Sequence, residues 1–387
     1  MKKDKRMYAF SYFFILRLVY NYVMNFKRKF PLFITILMLF SITGCKPDEF
    51  HRLQVNKQII HAEIKEERLL YPLVPSEGMY FSELTGEELS VDIQDQRPIA
   101  VMVDNETLAY PHFGIANYGD IVYEMVNSAY NNRITRLMVL VKDYANIDQL
   151  GSIRSTRDTN VILQGEYNSI LCHDGNSYTA TPYFNNGYSS DHFSGTFSRV
   201  PNGKDYEFTE YIIPGDLDRN FESSGYSRTY NDYKPDVDSH FQFNKYEIES
   251  LTDESLETCS WITLPFWHNN SELEYDSEAQ KYIYRCYGEV HVDAQDDKVL
   301  MFKNVIIQNV DMNVIDNQGH VLYDVVGSGS GYYLSNGHII DMTWQKDSET
   351  DITRYYDANG EEIIFNRGKT YIGLIPSDTW SGVEIYD

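Results

Sequence analysis

The chain has 387 residues, 42% of them hydrophobic and 23% charged, which is a globular composition and about two domains' length. Residues 1–45 carry eight of the 33 basic residues and one of the 57 acidic ones, so the remainder holds 25 basic and 56 acidic residues, a net of −31. A body so charged is repelled by nucleic acid and by anionic lipid or wall polymers, which argues against a nucleic-acid partner and fits a basic partner, a divalent cation, a neutral ligand or plain solubility.

The N-terminal region reads as a targeting segment. Lys27-Arg28-Lys29 precedes an apolar run from Phe30 to Ile42, short for a membrane span but right for a signal h-region. The run ends in Ile42-Thr43-Gly44-Cys45, which resembles the lipobox of bacterial lipoproteins. Lipidation needs the Cys45 thiol as nucleophile, and the small residues before it admit the signal peptidase. The expected partner is therefore the membrane, through lipid on Cys45, with the body on the extracytoplasmic side. Residues 1–23 fit no signal peptide and suggest a start at Met24; a further membrane-associated segment is the alternative. Residues 46–80 read as a tether, broken by Tyr71-Pro72-Leu73-Val74-Pro75.

An N-terminal α/β domain is expected over 90–235. The continuous apolar run at 98–103 reads as a buried strand and 120–126, 134–141 and 168–173 as further strands, with a short helix from Asp158 to Tyr167 and long polar loops over 185–235. A mostly antiparallel β domain is expected over 240–380. It has a hairpin at 273–284, an apolar strand from Val299 to Val310, and turns at Asn317–Gly319, Asn336-Gly337 and Ala358–Gly360. The fold class is thus α+β, and the two halves are expected to fold apart. Once Cys45 is acylated, Cys172, Cys259 and Cys286 remain; buried thiols are the default, and pairing of Cys259 with Cys286 is the alternative.

Two constellations carry possible chemistry. Arg154 and Arg157 flank the start of the expected helix, and Arg133 and Arg136 come from a neighbouring strand; together they can grip a phosphate or carboxylate, or pair internally with Asp104, Asp120, Glu124 or Asp158. His173-Asp174-Gly175-Asn176-Ser177 follows a strand, where His173 can serve as general base and Ser177 as nucleophile or donor, or the whole can be a polar loop. Gly327-Ser-Gly-Ser-Gly331 has the wrong spacing for a nucleotide loop and reads as a glycine-rich β connection. His291, Asp293, Asp296 and Asp297 form one short acidic turn, and no metal or cofactor is assigned to it.

Several blocks in order carry a family resemblance: Arg97-Pro-Ile-Ala-Val-Met-Val, Gly119-Asp-Ile-Val-Tyr-Glu-Met, Gly151-Ser-Ile-Arg-Ser-Thr-Arg157, His173-Asp-Gly-Asn-Ser177, Phe302-Lys-Asn-Val-Ile-Ile-Gln308, Gly327 to Gly337, Thr343-Trp344 and Arg367 to Ile372. Across roughly 90–380 the chain resembles the YerB-type family of predicted lipoproteins. The resemblance implies an exported, often lipid-anchored protein with paired domains of unknown function, and no reaction. One departure is Tyr371, where Trp is expected after Thr. The functional expectation is a binding or interaction protein of the cell envelope, the alternative an envelope hydrolase or transferase acting on an anionic substrate.

Overall fold

The computed structural model describes residues 72–235 and 240–387. The signal segment, Cys45 and most of the tether lie outside these residues. From Pro72 to Asp387 the chain forms one compact unit. Among the described residues no helix is long and apolar enough to cross a membrane.

A ten-stranded mixed sheet organises the unit. Its strands in chain order are β1 (Ile99–Asp104), β2 (Ile121–Val126), β3 (Thr135–Val141), β4 (Ile170–His173), β5 (His192–Ser194), β6 (Asn304–Val310), β7 (Gly327–Ser335), β8 (His338–Lys346), β9 (Arg354–Tyr356) and β10 (Thr370–Pro376). Their order across the sheet is β9-β8-β7-β6-β10-β2-β3-β1-β4-β5. Every residue of β1, β2, β3, β4 and β10 is buried, which is why the first four are mostly apolar and could be read as strands. The hairpin β7–β8 alternates more, with Asn336-Gly337 in left-handed conformation at its turn.

The expected seam between two independently folding halves is not a break in this sheet. β10, from the C-terminal half, lies parallel to β2 from the N-terminal half, with Thr370 opposite Ile121 and Leu374 opposite Met125. It lies parallel to β6 on its other side. Sequence patterning missed this because parallel pairing of distant strands leaves no local turn signal.

A second, antiparallel sheet of six strands comes wholly from the C-terminal half and includes Trp261–Thr263, Glu272–Asp276, Lys281–Cys286, Met301–Phe302 and Glu384–Tyr386. Lys281–Cys286 buries alternate residues, so Tyr282, Tyr284 and Cys286 face inward. Tyr284 and Phe302 pack on Tyr371 of β10, at ring-centroid distances of 5.8 and 5.5 Å. The expected apolar strand 299–310 is split, into Met301–Phe302 of this sheet and β6 of the large one.

Among the described residues the α-helices are α1 (Ile115–Tyr118), α2 (Asp158–Gly165) and α3 (Asp216–Ser224). The last lies inside the stretch expected to be loops, as do β5 and the strand Glu210–Ile212. In Gly327–Gly331 the glycines are part of β7 itself: a Cβ on Gly331 would stand 2.2 Å from the Ile307 carbonyl oxygen of β6, so only a bare backbone fits. The three described cysteines are free and buried.

Candidate functional site

β1 and β2 end, and the antiparallel β3 begins, side by side in the middle of the sheet. Asp104 at the end of β1 stands opposite Arg136 near the start of β3, and Arg136 in turn stands opposite Met125 of β2. The segment 151–157 crosses these ends and feeds α2, with Arg157 as its N-cap residue. This crossing brings three of the four candidate arginines together around Ser155.

Arg136 donates from Nη1 to the Ser155 carbonyl at 2.6 Å, the Ser155 hydroxyl at 2.7 Å and Asn127 Oδ1 at 3.0 Å. Arg157 donates from Nη1 to Ser155 Oγ at 3.1 Å and the Thr156 carbonyl at 2.8 Å, and from Nε to the Asn127 carbonyl at 3.1 Å. Among the described residues neither guanidinium makes an ion pair, and the Arg136 Nε is buried without a hydrogen-bond partner. Both side chains are more than nine-tenths buried, at 7% and 8% exposure.

Arg154 differs, with its Nε 2.9 Å from Asp104 Oδ2 and its Nη1 2.6 Å from Glu207 Oε2. Among the described residues Asp104 is thus the one buried carboxylate paired directly with any of the three. The electrostatics follow from the packing. Burial pulls Arg157 down to about 9, and the neighbouring positive charge of Arg136 adds to the effect. Burial pulls Arg136 down to about 10, with Asp104 opposing and Arg154 reinforcing. Both remain protonated at neutral pH, and the carboxylates that act on them, Asp104 on Arg136 and Asp158 on Arg157, do so without a direct ion-pair contact.

Arg133 does not join them. It has left-handed backbone, packs 4.8 Å over the Trp267 ring, and makes a two-point pair with Asp378 whose contacts are 2.8 and 2.5 Å. The grouping of four expected from the sequence is therefore a grouping of three. Arg133 leaves because the turn 131–133 is built of three consecutive left-handed residues, which reverses the chain before β3 begins.

The His173–Ser177 loop lies next to the cluster, with its groups committed elsewhere. His173 is buried, stacks on Phe184, and bonds His192 Nδ1 at 2.8 Å and the Gly175 carbonyl at 2.8 Å. Burial lowers it to about 4. Ser177 donates to Asp158 Oδ2 at 2.7 Å. His173 and Ser177 thus form no base–nucleophile pair. Asp174 meets Arg199 at 2.6 Å, and the same guanidinium nitrogen meets Glu210 at 2.7 Å. Burial and the contact with Asp174 push Glu210 up to about 7.

Sequence reasoning missed Asn127, Ser155, Arg199 and Glu210, whereas Asp104 was among the internal carboxylates expected to pair with the arginines, and it does so with Arg154. Of those missed, only Ser155 had a signal, its place between two arginines. The acidic turn at 291–297 holds no metal-ligand group: His291 bonds His112 at 2.9 Å, and Asp293 accepts the Gly114 and Ala116 N–H groups at the start of α1. Two surface concavities lie elsewhere, one lined by Gln345, Asp351 and Arg354, the other by Leu73, Phe81 and Arg367.

Two family models match the chain. One is described as "Protein of unknown function (DUF3048) N-terminal domain", over residues 84–227, and the other as its C-terminal domain, over residues 262–372. A protein of Bacillus subtilis (strain 168) named "Putative lipoprotein YerB" is 25% identical over 308 residues, covering 76% of this chain and 85% of that protein. The crystal structure of YerB protein from Bacillus subtilis superposes with a TM-score of 0.67 at 23% identity, covering 80% of this chain and all of that one. The fold is therefore shared along the whole solved relative, and the arginine cluster and both matched domains lie in one frame. On the ordered blocks, the two matched domains and the common fold, the chain belongs to the YerB-type family.

Proposed function

We propose that this protein is a lipid-anchored binding protein of the cell envelope that takes an anionic ligand between Arg136 and Arg157. The observation that carries the reading is a pair of buried guanidinium groups held by neutral partners rather than carboxylates. Burying charge without a carboxylate in direct contact is costly, and such groups are ordinarily paired. An arriving carboxylate or phosphate supplies the missing charge and accepts bidentate hydrogen bonds. The lipobox at Thr43-Gly44-Cys45 and the name of the Bacillus subtilis relative support the anchor.

Two measurements test this. Phosphate added to the detergent-solubilised full chain is expected to raise its melting temperature, and Arg157→Met is expected to abolish that rise; an equal rise in both proteins rejects the site. Cys45→Ser is expected to lose metabolic labelling by a fatty-acid analogue, because a hydroxyl cannot replace the thiol. Equal labelling of both forms rejects the anchor.

A further inference from the structure

The hairpin turn that supplies Asn127 to the arginines carries Tyr130, and the loop hydrogen-bonded to that turn carries Trp267, which together make an aromatic shelf. Tyr130 and Trp267 are 55% and 50% exposed. Each has one face packed: Tyr130 lies over Gly319, where a Cβ would stand 2.8 Å from the ring, and Trp267 lies under the Arg133 guanidinium. Gly319 is left-handed as well, so the position that admits the ring is closed to a side chain on two counts.

Exposed aromatics are often mobile, but these are braced. The Tyr130 hydroxyl donates to the Asn317 carbonyl at 3.0 Å, Asn132 Nδ2 donates to the Trp267 carbonyl at 2.8 Å, and His268 Nδ1 bonds the Asn131 carbonyl at 2.7 Å. Asp378 fixes Arg133 from the far side. Rings held rigid with one face bare lose little freedom on binding.

Shelf and cluster are close. Asn127, which accepts from both Arg136 and Arg157, is three residues from Tyr130, so their Cα atoms are within about 11 Å. The Ser128–His320 bridge and the bond from Ala129 N–H to the Gly319 carbonyl at 2.8 Å hold the turn between them.

The pairing of a bare aromatic face with a buried pair of guanidinium groups selects a ligand having an apolar ring face and one negative charge. Pyranose rings present such a face through their axial C–H groups, and uronic or ether-linked acids add the carboxylate. The body's net charge of −31 beyond Cys45 works against a polyanion, whose repeated charges would be repelled on approach. We infer that the anion site is one half of a subsite for a singly charged acidic saccharide, its carboxylate between Arg136 and Arg157 and its sugar ring on Tyr130 or Trp267. This rests on the anion-binding reading above.

The test measures affinity of the detergent-solubilised full chain by calorimetry for four probes: inorganic phosphate, acetate, a glucuronate–N-acetylglucosamine disaccharide and neutral diacetylchitobiose. The acidic disaccharide is expected to bind at least about tenfold tighter than acetate or the neutral sugar. Trp267→Ala and Tyr130→Ala, made together, are expected to cost the disaccharide about tenfold and leave phosphate unchanged, while Trp267→Phe with Tyr130→Phe keeps the disaccharide. Phosphate affinity reports that each variant still folds. Phosphate binding without preference for the acidic sugar overturns the saccharide inference and spares the anion site. Equal binding of acidic and neutral disaccharides overturns it too. Failure of every anion overturns both.

Discussion

At the scale of the residue, the four arginines that look alike in the sequence have three different jobs. Arg154 neutralises Asp104, which is 1% exposed, so Arg154→Ala leaves a buried carboxylate unpaired and is expected to cost roughly 3 kcal/mol. Arg133 pairs with Asp378, which is 57% exposed, and Arg133→Ala is expected to stay within about 1 kcal/mol. Urea denaturation of the two variants side by side checks this; equal losses would mean that burial of the partner does not govern the cost. The sequence brought Arg136, Arg154 and Arg157 into one hypothesis because their strand and helix starts could be read. It could not separate Arg133, whose departure depends on three consecutive left-handed residues that carry no glycine. Tyr371 shows the same limit. As an aromatic in a family block it looked like a mild exchange for Trp, yet its hydroxyl donates at 2.7 Å to the buried Glu124, which also accepts from Thr135, Ser271 and Tyr284. Burial still raises the Glu124 carboxyl above its ordinary value, those donors opposing it.

At the scale of the element, the buried strands β1 to β4 were legible, since short, mostly apolar stretches rich in β-branched residues and bounded by polar ones favour strands. α3 was missed because Asp216–Ser224 is mostly polar and sits among turn-forming residues. Nor could periodicity reveal what ties α2 to β8. Lys346 Nζ lies 3.0 Å from Glu166 Oε1, with both side chains fully buried. Thr353 donates to the same carboxylate from its N–H and its hydroxyl, each at 2.9 Å. Burial alone would raise Glu166, but Lys346, His240 and the Thr353 N–H outweigh it and hold it at about 2. Lys346→Met is therefore expected to cost about 3–5 kcal/mol at neutral pH. The sign with pH follows: a depressed carboxyl stabilises above its unfolded value and loses that contribution as pH falls toward 2, so the variant's deficit should shrink in acid. Denaturation curves at pH 7 and pH 3 measure it, and a deficit that grows in acid would contradict the assignment.

At the scale of the whole molecule, the two halves that composition and turn density set apart share ten strands. Limited proteolysis is expected to leave one resistant core beginning near Pro72. Nicks in exposed loops should not release residues 240–387 as a folded piece, because β10 would lose β2 and bare a buried edge. Two separately stable fragments would contradict the sheet order. The position of β10 also bears on how the protein is made. Thr370 must find Ile121 across 249 residues, the kind of distant pairing that slows folding. Synthesis runs from the N-terminus, so β1 to β5 emerge long before their central neighbour does. Until β10 arrives, β2 waits as an open strand edge, an apolar template for pairing with other chains. A nascent chain stalled before residue 370 should therefore aggregate, or depend on a holding chaperone, where the finished chain does not.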